Sequence, residues 1–96
     1  MKFDIYCGSE PTANQAVAIH ALIGRTMKKI GKPFFAHMLV LCGPARDAAL
    51  AVLSHAGCNV TTVRTETTIK HAIVINGPAP KIFAEHRKQV LVCPED

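Results

Sequence analysis

The sequence predicts a small single-domain α/β protein with a mostly parallel core sheet flanked by helices, and three observations carry that prediction. Short apolar runs alternate with stretches of helical periodicity, the pattern that crossovers between parallel strands produce. Apolar residues make up 49% of the chain and aromatic residues only 5%, so the core is aliphatic. Residues 1–96 are enough for one domain, near the lower end of what folds around a single core. Self-association into a homodimer would enlarge so small a core, and it is expected.

Each element follows from local signals. Lys2 to Cys7 reads as a strand stopped by Gly8. "SEPTANQ" is a helix entrance in which Ser9 or Thr12 can cap and Pro11 is tolerated in a first turn. Ala13, Ala16, Val17, His20, Ile23, Met27 and Ile30 then recur at helical spacing up to Gly31. Gly24 inside that helix costs about 1 kcal/mol relative to Ala. Phe34 to Cys42 is a continuous apolar run broken by His37, which marks a strand buried on both faces. Gly43-Pro44 turns the chain, and the alanine-rich "ARDAALAVLSHA" predicts a second helix ended by Gly57. Asn59 to Thr65 and Thr68 to Ile75 read as strands, the latter closed by the Asn76-Gly77-Pro78 turn. Pro80 to Gln89 reads as a short helix and Val90 to Cys93 as a final strand. The order is β-α-β-α-β-β-α-β, with the last strands expected to pair antiparallel.

Several function classes are disfavoured by what the chain lacks. There is no glycine-rich phosphate loop of the G-x-G-x-x-G or G-x-x-x-x-G-K-[ST] kind and no G-x-S-x-G elbow. No C-x-x-C pair occurs, and the histidines (His20, His37, His55, His71, His86) do not pair at helical spacing, so neither a metal site nor a cofactor is expected. The longest apolar run is too short for a bilayer, and the amino terminus lacks a signal-peptide pattern, so a cytoplasmic protein with reduced thiols is expected.

Two features point to chemistry. Cys7-Gly8 and Cys42-Gly43 form strand-ending corners before helices, where backbone amides lower a thiol pKa and hold anions. The C-x5-R pattern of cysteine phosphatases is absent, since Arg46 follows Cys42 too closely and Ala13 stands six positions after Cys7. Both cysteines also suit small buried positions at strand ends. The second feature is a basic stripe: Arg25, Lys28, Lys29 and Lys32 fall at i, i+3, i+4 and i+7 opposite the apolar stripe of the first helix. Such a stripe can track a phosphate backbone, although cations also gather at helix ends to complement the dipole. With net charge +4, the reading that follows is a small, basic, non-catalytic binding module for nucleic acid or an acidic protein surface, acting as an inhibitor or adaptor.

The order of "DIYCGSEPT", a helix, "HMLVLC", "ARDAALAVLSHAG", "NVTTVRT" and "TTIKHAIVING" resembles one half-domain of the phospholipase D-like superfamily. The resemblance implies a phosphodiesterase or nuclease with His71 as nucleophile on the strand that carries the family's H-x-K-x4-D motif. Here that motif is degenerate. With Asn76 in the Asp position, Ile69 takes the His position and His71 the Lys position. With His71 as nucleophile, Ile73 replaces the Lys and Pro78 the Asp. Strand parity gives His71 a plainer account, bordering an apolar face shared with Ile69, Ile73 and Ile75, with Lys70, Ala72 and Val74 on a more polar one. "IYCGSE" with "LVLCGPARDAALAVL" also resembles the B components of cellobiose-type sugar phosphotransferase systems. That resemblance implies a phosphocarrier role for Cys7, against which Glu10 would place a carboxylate in the phosphate loop.

Overall fold

The computed structural model describes residues 1–33, 38–64 and 68–94. Five parallel strands form one sheet in the order β3-β2-β1-β4-β5: β1 (Lys2–Cys7), β2 (Met38–Cys42), β3 (Val60–Thr61), β4 (His71–Ile75) and β5 (Gln89–Val92). Helices α1 (Ala13–Ile30), α2 (Arg46–His55) and α3 (Lys81–Glu85) complete the expected element order. The final pairing differs from expectation. β4 and β5 run parallel, with Ala72 opposite Val90 and Val74 opposite Val92. The reason lies in the link: α3 and a turn at Arg87 (φ 53°) carry the chain back to the start of the sheet before β5 begins.

Alternation along β1 sends Phe3, Ile5 and Cys7 to one face and Asp4 and Tyr6 to the other. On the first face α1 and α2 lay Ala16, Ile19, Ile23, Met27, Ala49 and Leu53 over Phe3, Ile5, Leu39, Leu41, Ile73 and Ile75, all buried. The buried stripe of α1 runs through Gln15, Ala16, Ile19, Ile23 and Met27, one step round from the predicted stripe, which leaves Val17 and Ile30 exposed. On the second face Phe83 of α3 covers Ala72 and Val74, with Tyr6 and Cys42 beside them. The Ala72 and Val74 side of β4 is therefore an apolar, buried face rather than the more polar one expected.

Helix α1 begins at Thr12 and not Ser9. The Thr12 hydroxyl accepts from the Gln15 N–H, and the Gln15 side chain accepts from the Thr12 N–H, a complete capping box. It ends at Gly31 (φ 84°), with the Gly31 N–H donating to the Lys28 carbonyl and the Lys32 N–H to that of Met27. Strands shorter than expected fill the rest: β3 is two residues, and β4 starts at His71. Phe34, Phe35 and His37, and the stretch around Thr65, lie outside the described residues. Among the described residues no helix is long and apolar enough to cross a membrane.

Candidate functional site

Open α/β sheets usually bind ligands at the carboxyl ends of their strands, where neighbouring strands connect in opposite directions. Here that point lies between β1, whose chain moves on to β2, and β4, whose chain moves on to β5. It is closed by the protein itself. The Gln15 side chain, 3% exposed, donates to Asn76 Oδ1 (2.7 Å) and accepts from Asn76 Nδ2 (3.0 Å), and it also donates to the Pro94 carbonyl (3.2 Å). The Gly8 N–H donates to the Ile75 carbonyl at 2.9 Å, and a Cβ at Gly8 would lie 2.2 Å from the Asn76 oxygen. Of the amides at the start of α1, those of Thr12 and Gln15 are engaged in its capping box.

The two Cys-Gly corners are neighbours, since Tyr6 pairs with Cys42 in the β1–β2 ladder. Register nonetheless places the thiols on opposite faces: Cys7 packs beneath α1 and α2, while Cys42 packs with Tyr6 on the other side. Cys7 is fully buried, and burial pushes its thiol up to about 12, helped by nearby Cys42 and Cys93. Burial, with Asp4 adding, likewise raises Cys42 against the opposing pull of Arg64 and Lys88. The Cys42 thiol donates to the Ile5 carbonyl at 3.0 Å. This is the reverse of the depressed pKa that a nucleophilic or phosphate-carrying thiolate requires.

His71 opens β4 with its ring 5.7 Å from that of Phe3, tilted by 58°. Ile69, which precedes it on the same face, is buried. His71 borders a recess of about 340 Å³ between the starts of β1 and β4, lined also by Lys2, Thr68, Ile69 and Lys70.

Charge is distributed unequally between the two ends of the sheet. In a parallel sheet every strand starts at one edge, and each return helix ends there. Lys2 and Lys70 stand at strand starts, Lys28 and Lys29 in the last turn of α1, and Arg87 at the turn before β5. The basic stripe joins them: Arg25, Lys28, Lys29 and Lys32 are all exposed. Lys32 is placed by the turn after Gly31 and not by the helix itself, so the predicted stripe is a three-residue helical row extended by one turn residue. At the opposite edge stand Glu10, the Arg46–Asp47 pair at 3.8 Å, and Lys81.

One cluster was invisible to motif reasoning. Asp4, 1% exposed in the middle of β1, sits between Arg64 (2.6 Å) and Lys88 (3.1 Å), whose side chain is itself 3% exposed. Lys88 also donates to the Ile69 carbonyl and lies 5.9 Å from the Phe83 ring centroid. The signal available in the sequence was a lone acid inside an apolar strand, "KFDIYC". Among the described residues no three His, Cys, Asp or Glu side chains are grouped so as to hold a metal ion. No known family, characterised protein or solved structure matches the chain.

Proposed function

We propose that this protein is a basic, non-catalytic binding module that engages an anionic partner, nucleic acid or an acidic protein face, through the amino edge of its sheet. The observation that carries this reading is the convergence of Arg25, Lys28, Lys29 and Lys32 with Lys2, Lys70 and Arg87 at that one edge. A field of one sign over a surface raises the local concentration of an oppositely charged partner and accelerates encounter. Glu85, at the end of α3, is an acid on the same side. Asp4 is already paired within the fold with Arg64 and Lys88.

The Gln15–Asn76 clasp across the β1–β4 crevice and the raised thiol of Cys7 favour binding over phosphotransfer. Contact between His71 and Phe3 favours a packing role for that histidine over a nucleophilic one. The test is a gel-shift assay with labelled single- and double-stranded oligonucleotides at low and moderate salt, with Mg²⁺ or EDTA. A salt-sensitive shift is expected that weakens at least about ten-fold in Lys28→Glu/Lys29→Glu and is retained in Lys81→Glu. Equal binding by both variants would sink the assignment to this edge. Cleavage surviving EDTA and lost in His71→Ala would replace it with phosphodiesterase chemistry.

A further inference from the structure

The two edges of the sheet are unequally protected. β3 is only two residues long, and a very short edge strand offers little to a foreign chain. β5 presents four residues, Gln-Val-Leu-Val, with no charge and no proline among them. Its backbone groups divide cleanly. The Gln89 N–H donates to the Lys70 carbonyl (2.8 Å) and the Cys93 N–H to the Val74 carbonyl (2.9 Å), so Gln89, Leu91 and Cys93 address β4. Val90 and Val92 therefore turn their N–H and C=O groups outward, and their side chains are 37% and 70% exposed. Ile82 on the adjoining α3 is 49% exposed.

We propose that β5 pairs antiparallel with β5 of a second copy of this chain, joining two five-stranded sheets across a two-fold axis at Leu91. The outward groups select this register over its neighbours. Setting Val90 opposite Val92 of the second copy, and Val92 opposite Val90, uses every outward N–H and C=O of both strands in four hydrogen bonds. Placing Val90 opposite Val90 would require Lys88, whose N–H already donates to the Phe83 carbonyl. Placing Val92 opposite Val92 would bring up Pro94, which has no N–H to give. In the selected register valine meets valine on one face and leucine meets leucine on the other. Charge agrees with the direction: the sequence places Arg87 before the strand and Glu95 and Asp96 after it, so antiparallel pairing opposes unlike ends.

The test measures mass by sedimentation equilibrium on the full chain across a wide concentration range, together with amide hydrogen exchange. The mass rises from 10.4 kDa toward twice that value, and exchange at Val90 and Val92 slows as concentration increases. Val92→Pro removes an N–H that the monomer's own ladder does not use, so it weakens association at least about ten-fold while the circular dichroism spectrum is retained. A mass that stays at 10.4 kDa throughout overturns the proposal. So does a Val92→Pro dimer as tight as the parent. Should that variant fail to fold, exchange on the unaltered chain decides alone: a dimer whose Val90 and Val92 amides exchange freely uses another surface.

Discussion

Asp4 is a charge buried in the middle of β1. A carboxylate removed from water is tolerated only where cations and hydrogen bonds replace its hydration, and Arg64 and Lys88 do so on its two oxygens. The two partners differ in what happens if Asp4 is lost. The Arg64 side chain is 41% exposed and can turn to solvent, but that of Lys88 is 3% exposed and stays behind as an uncompensated charge. Asp4→Ala is therefore expected to destabilise the protein by about 3–5 kcal/mol in urea unfolding. Asp4→Leu combined with Lys88→Met, which removes both charges of the buried pair, should recover a good part of that loss. If Asp4→Ala costs less than about 1 kcal/mol, the cluster contributes little beyond a surface pair. Arg64 lies on the link from β3 to β4, so the cluster also ties that link to the sheet face opposite α1 and α2.

At the scale of elements, α1 depends on how its first turn is joined to the sheet. Thr12→Ala removes one acceptor for the Gln15 N–H and should cost about 1 kcal/mol of stability. Gln15→Ala should cost more, because the same amide also binds Asn76 and the Pro94 carbonyl and its loss strands buried partners. Thermal or urea unfolding of the two variants checks the order, and the reverse order would deny Gln15 its bridging role. Element order was legible in the sequence because periodicity and glycine stops are local signals: Gly31 and Gly57, both at positive φ, end what they were expected to end. Strand direction for β5 was not legible. A five-residue α3 is a weak periodic signal, and it alone decides between a hairpin and a crossover. The Gln15–Asn76 clasp was equally hidden, since its two amides are 61 residues apart and neither belongs to a motif. The basic stripe was legible as charge spacing, but its union with Lys2, Lys70 and Arg87 required knowing that every strand starts at the same edge.

For the whole molecule, parallel topology turns a modest net charge into a directional one. A net charge of +4 spread evenly over the surface would be largely screened beyond about 10 Å at ordinary ionic strength. Gathered at one edge, as the proposed function requires, Arg25, Lys28, Lys29 and Lys32 would meet a single polyanion, whose phosphates repeat every few ångströms and release counterions as they are neutralised. That release sets a measurable quantity. If Arg25, Lys28, Lys29 and Lys32 each meet one phosphate of a duplex, the logarithm of the binding constant should fall with the logarithm of salt concentration with a slope of about −3.6. In Lys28→Glu/Lys29→Glu the slope should fall to half that or less, because two of the four contacts are gone and two repulsions replace them. The proposed β5 dimer would leave these slopes unchanged on a short duplex. Antiparallel pairing points the two basic edges to opposite rims of the joined sheet, so one short duplex meets one edge. A slope near zero in fluorescence-anisotropy titrations would mean that phosphate neutralisation does not drive binding, and the amino edge would then have to recognise an acidic protein surface instead.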